Sequence, residues 1–189
     1  MAMLDIHPSV ARKALGSIFT SQPVMLAKIN DMRDSLAVIF YALMKNEKLT
    51  TAGNNVEADH EVLRLSAAVE DLEKKFLIPI EHHNVSTSSV IAGGKKTKQM
   101  YYMMDEDVIR ALQTEPDTVF RKQEKELAVS EWQRKSKQTK KLINQHGGLT
   151  GALVMLTRSG YEAKSLSAEK LAGLEVKFRC ILDELDAAS

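Results

Sequence analysis

Apolar positions fall at helical spacing over most of the chain. Val10, Leu15, Ile18 and Phe19 recur at helical intervals after Pro8, and Ser21-Gln22-Pro23 interrupts them, which predicts a short first helix. Met25, Ile29, Met32, Leu36, Ile39, Phe40 and Leu43 then follow spacings of three and four, so the pattern predicts one amphipathic helix over residues 24–44. A polar break at 50–55 ends it. A short helical segment is expected through Val62 and Leu63, and Ser66 is a candidate N-cap for a helix over 67–76.

The period then changes. Leu77-Ile78-Pro79-Ile80-Glu81-His82-His83-Asn84-Val85 reads as a strand with proline near its start, and 99–104 as a second strand. Ser86 to Ser89 and Gly93-Gly94-Lys95-Lys96-Thr97-Lys98 between them predict a hairpin with a long basic tip. Asp105 is placed to cap a helix running through Val108, Ile109 and Leu112. A charged helix follows over 118–145, closed by Gly147-Gly148. Leu149 to Leu156 and the stripe Leu171, Leu174, Phe178, Ile181, Leu182, Leu185 suggest a last helical pair, which folds back on itself or forms a dimer seam.

Composition narrows the class. The 189 residues carry a net charge of +1 with 44% apolar residues, too apolar and too nearly neutral for a chain disordered throughout. No apolar run approaches the about 18 residues that span a bilayer, and residues 1–8 lack the pattern of a secretory signal, so a cytoplasmic protein with no membrane contact is expected. Cys180 is the lone cysteine, which excludes an intramolecular disulfide and a thiolate zinc site. The near-zero total hides segregation: residues 1–29, 30–113, 114–146 and 147–189 carry +2, −3, +3 and −1.

The order helix, Leu49-Thr50-Thr51, short helix, Ser-capped helix, strand, basic tip and aromatic strand spans residues 30–113. With Leu65-Ser66-Ala67-Ala68-Val69-Glu70-Asp71-Leu72, Ile78-Pro79-Ile80-Glu81 and the run from Lys95 to Met103, this region resembles the winged helix-turn-helix domains of phage and plasmid DNA-binding proteins. The resemblance implies that the Ser-capped helix docks in a major groove, with Arg64, Ser66, Ala67 and Glu70 facing it, while the wing reaches phosphates or the minor groove. Lys74 and Lys75 at the end of the helix, and Lys95, Lys96 and Lys98 in the wing, then supply cations. Glu70, Asp71 and Glu73 place three carboxylates on that same helix, which a phosphate-dominated field opposes.

Further along, Arg121, Lys122, Lys125, Arg134, Lys135, Lys137, Lys140 and Lys141 make the 118–145 helix basic. Its charge reads first as a solvated helix linking two folded parts, and Lys137, Lys140 and Lys141 are its candidate phosphate contacts. Strand alternation sends one of Tyr101 and Tyr102 inward, and His82 and His83 to opposite faces, which makes joint coordination of one metal awkward. No G-x-S-x-G, G-x-x-x-x-G-K-[ST] or H-E-x-x-H motif is present.

These readings define a mainly α protein: an N-terminal helical segment over 1–29, a winged helix-turn-helix over 30–113 with a short β-hairpin wing, and a charged helix with a C-terminal helical region over 114–189. The expected function is non-catalytic DNA binding by a cofactor-free dimer, in regulation or replication. The competing expectation is a protein–protein module that uses the acidic helix on a basic partner of the transcription or replication machinery.

Overall fold

The computed structural model describes residues 2–53, 55–89, 95–145, 148, 151, 173, 176, 179 and 180. The chain divides into two units, Met1–Leu127 and Ala128–Ser189. Among the described residues the secondary structure is six helices and a five-stranded sheet, so the fold is mixed α/β rather than mainly α. Three of the strands hold only two or three residues, too few for an alternating pattern to show in the sequence. No described helix is long and apolar enough to cross a membrane.

β1 (Ala2–Met3) leads into α1 (Pro8–Ile18), whose first turn is closed by His7 Nδ1 accepting from the Ser9 amide, with Pro8 at the first helical position where it loses no bond. The helix expected over 24–44 is two helices, α2 (Pro23–Asp31) and α3 (Asp34–Met44). Met32 and Arg33 between them are extended, and the Arg12 guanidinium of α1 fills the break by donating to the carbonyls of Ile29 and Met32 and to Asp34. Met32 is buried like the helical residues around it, which is why the apolar spacing runs on through the interruption.

α3 is apolar nearly all round, with Leu36 through Phe40 and Ala42 through Met44 buried, and it forms the centre of the core. Leu15, Phe19, Met25 and Ile29 of the preceding segments join the same core, where Phe19 and Phe40 stack at 6.1 Å between ring centroids. β2 (Leu49–Thr51) follows. Where a short helix was expected near Val62, the chain instead forms β3 (His60–Val62), parallel to β2 and also to β1. The connection at 52–59 is held by Asp59, whose carboxylate and amide bond the amide and carbonyl of Lys48, and it buries Val56.

α4 (Leu65–Lys74) starts two residues earlier than expected, capped by Arg64 rather than Ser66 and without a side-chain capping bond. Leu65, Ala68, Val69 and Leu72 are its buried face, the three- and four-residue spacing of a helix lying on a core. Beyond it, Leu77 adopts φ 60°, which turns the chain so that the Ile78 amide returns to the Leu72 carbonyl at 3.1 Å. Ile78 and Ile80 are thereby buried before any strand begins, and β4 (Glu81–Ser89) starts four residues later than the sequence suggested.

β5 (Lys95–Met103) pairs antiparallel with β4 along its whole length, from Glu81 opposite Met103 to Ser89 opposite Lys95. The Ser/Thr/Lys stretch expected at the hairpin tip is thus ladder, closed across the strands by Thr87 and Thr97 hydroxyls 3.2 Å apart. The sheet order is β1-β3-β2-β5-β4, with β2 antiparallel to β5.

Asp105 caps α5 (Glu106–Thr114) as expected, its carboxylate accepting from the Asp107 amide. The Gln22 side-chain amide donates to the carbonyls of Gln113 and Thr114, tying the start of α2 to the end of α5. α6 (Pro116–Gln145) is the charged helix, and its end is marked by Gly148, whose amide returns to the Ile143 carbonyl at φ 100°. The apolar stripes expected at 149–156 and 171–185 lie outside the described residues, apart from Gly151, Gly173, Val176, Arg179 and Cys180.

Candidate nucleic-acid interface

With the buried face of α4 fixed by Leu65, Ala68, Val69 and Leu72, the 100° step of a helix turns Ser66, Ala67, Glu70 and Lys74 outward, and all four are exposed. The two flanks of α4 differ. On one, Ser66 hydrogen-bonds the Tyr102 phenol and Glu73 Oε1 lies 2.8 Å from His82 Nε2, so this flank is joined to the hairpin. On the other, Asp71 meets Arg33 at 3.0 Å.

Strand alternation sorts the hairpin residues. His82 and Tyr102 are opposite one another and meet edge to face at 4.9 Å between centroids, both on the side joined to α4. Counting outward in twos, Asn84 with Met100, Ser86 with Lys98, and Ser88 with Lys96 belong to this same side. Lys96 and Lys98 are exposed there. The opposite side carries His83 stacked on Tyr101 at 4.8 Å, with the Lys48 ammonium 5.8 Å from the Tyr101 ring. Tyr102 is therefore the inward tyrosine and the two histidines diverge, as the alternation required.

The three carboxylates of α4 are all engaged. Glu70 bonds Lys74 at 2.5 Å, Asp71 bonds Lys75 at 2.7 Å as well as Arg33, and Glu73 holds His82. The Lys75 ammonium, helped by Arg33, holds the Asp71 carboxyl below its ordinary value against a smaller opposing effect of burial. Glu73 behaves in the opposite sense: burial pushes its pKa up, and His82 and Lys74 offset part of that. Burial likewise raises the Tyr102 phenol, with the Ser66 hydroxyl pulling it back. The charges of Glu70 and Asp71 are thus offset locally by i,i+4 lysines and by an arginine of the α3 N-cap, and Glu73 is held by a histidine of β4.

Of the residues nominated from sequence, Ser66, Ala67, Lys74, Lys96 and Lys98 fall around one outward surface, and Lys75 closes the end of α4. Lys95 opens β5 opposite Ser89. Arg64 stands at the start of α4 in the left-handed region, φ 55°, on the flank away from the hairpin. Lys137, Lys140 and Lys141 are exposed on α6 within the second unit. Sequence reasoning missed Arg33, His82, Asn84 and Ser86. Correct hairpin register would have found the last three, because it puts them in step with Tyr102.

The arrangement offers hydroxyl, amide and ammonium donors from a helix and an adjoining two-stranded ribbon. Compared with known proteins, the chain matches no family model, no curated protein and no solved structure.

Proposed function

We propose that this chain is a non-catalytic DNA-binding protein that lays the outward face of α4 in the major groove and the β4–β5 ribbon along the adjoining phosphates. The observation that carries the reading is the pairing of Glu70 and Asp71 with Lys74, Lys75 and Arg33 and of Glu73 with the His82 imidazole, while Lys96 and Lys98 project on the hairpin side joined to α4. Duplex DNA meets a helix of matching width and a neutralised face instead of three bare carboxylates. Ser66 and Lys74 are the proposed groove contacts, and Lys96 and Lys98 the phosphate contacts.

The succession α3, β2, α4, β4, β5, with β5 antiparallel to both β2 and β4, supports reading this region as a winged helix in which β3 replaces the middle helix. A regulatory or replication role of the phage and plasmid kind accords with that reading. The competing use of α4 as an acidic docking face is disfavoured, because its carboxylates already have partners.

Anisotropy titration of random-sequence duplex and single-stranded DNA at two salt concentrations tests the proposal. Duplex binding that weakens as salt rises is expected. Absence of binding to either form at low salt refutes it.

A further inference from the structure

The flank of α4 away from the hairpin borders a groove of about 520 Å³, walled by Met3, Leu4, Val38, Val62, Ala67 and Ala68. Three features of its rim point to an occupant. Leu63 is 71% exposed and Met3 59%, so two large apolar side chains stand in water beside an apolar hollow. Glu61 and Arg64, also lining the groove, have no ion-pair partner among the described residues. Arg64 holds φ 55°, a left-handed conformation that a non-glycine residue keeps only where the surroundings or a function require it.

We infer that the occupant is a second copy of this chain, docked about a two-fold axis so that Leu63 of each copy fills the groove of the other and Arg64 of each meets the other's Glu61. A two-fold contact covers knob and hollow together, since each surface receives what it presents. It also supplies the charge order the rim requires: Glu61 and Arg64, without ion-pair partners among the described residues, are opposite in sign, and the rotation brings each against its complement. The groove lies on the far flank of α4 from Tyr102 and His82, so the contact leaves Ser66, Lys74 and the hairpin lysines open. The inference is independent of the DNA-binding proposal.

Sedimentation of the full chain at about 100 µM, a concentration that populates a dimer of micromolar affinity, tests it. The wild type is expected to be a dimer, and Leu63→Glu a monomer with an unchanged circular dichroism spectrum. Glu61→Arg and Arg64→Glu are each expected to raise the dissociation constant by about tenfold or more, through two like-charge contacts per dimer. Mixing these two variants restores association, because positions 61 and 64 are then both arginine in one copy and both glutamate in the other. A monomeric wild type overturns the inference. So does a Leu63→Glu dimer, which would move association to another face, or a mixture that associates no better than its components.

Discussion

The side of the hairpin on which a lysine stands decides what its removal does to DNA binding. Lys96 and Lys98 share the side of Tyr102 and His82, while Lys48 lies over Tyr101 on the other. Each phosphate neutralised on a duplex contributes about 0.9 to the slope of log affinity against log salt. Lys96→Ala with Lys98→Ala is therefore expected to lower that slope by about 1.8, whereas Lys48→Ala, removing one charge from the opposite side, leaves it within error. Over a rise from about 50 to 200 mM salt, the double variant loses about tenfold less affinity than the wild type does. Anisotropy titration of one random-sequence duplex across five salt concentrations measures both slopes. Equal slopes for the double variant and the wild type, or a fall in slope for Lys48→Ala matching that of the pair, would refute the assignment of this side to phosphate.

Three further outcomes follow from the geometry. Asp71 has a lowered folded-state pKa, so its contribution to stability is present above its ordinary value of 3.8 and is lost as pH falls through the lower folded value. Asp71→Asn is expected to flatten the acid limb of a urea-midpoint profile below pH 3.8, and an unchanged limb would show that Lys75 and Arg33 do not act on it. Ile78→Ala, at a site with no exposed surface, is expected to cost about 2–4 kcal/mol in urea unfolding; a cost under about 1 kcal/mol would contradict its place beneath α4. Arg12→Ala removes donors from the two carbonyls that end α2 and is expected to cost about 1–3 kcal/mol, with hydrogen exchange accelerating at the end of α2.

Much of the helical framework was legible because buried side chains repeat at helical spacing: α1, α4, α5 and α6 lie close to where the pattern places them. The α2–α3 break was not, since Met32 keeps the apolar rhythm and the agent of the interruption, Arg12, lies twenty residues upstream. Leu77-Ile78-Pro79-Ile80 looked like a strand because a buried irregular segment and a buried strand present the same run of apolar residues. β1 and β3 were illegible for a different reason: β1 pairs with β3 far along the chain, Ala2 opposite His60, and two or three residues have no period. At the candidate site, residue types were readable and partnerships were not. Three carboxylates on α4 argued against DNA until Lys74, Lys75, Arg33 and His82 were seen to pair with them, and only the two lysines are sequence neighbours at i+4.

β4 is an outer strand of the sheet, nine residues long, with one side of its backbone unclaimed by any neighbour in the sheet. Such a strand is a template for addition of another chain, and its sequence Glu-His-His-Asn-Val-Ser-Thr-Ser-Ser holds a single apolar residue, Val85. The polar run that forms the ribbon's surface also keeps this long margin from seeding fibrils. Replacing Asn84 and Ser86 with valine would make residues 84–86 a continuous apolar, β-branched stretch on that open margin, so self-association, more than loss of fold, is what limits how far the ribbon's sequence can vary.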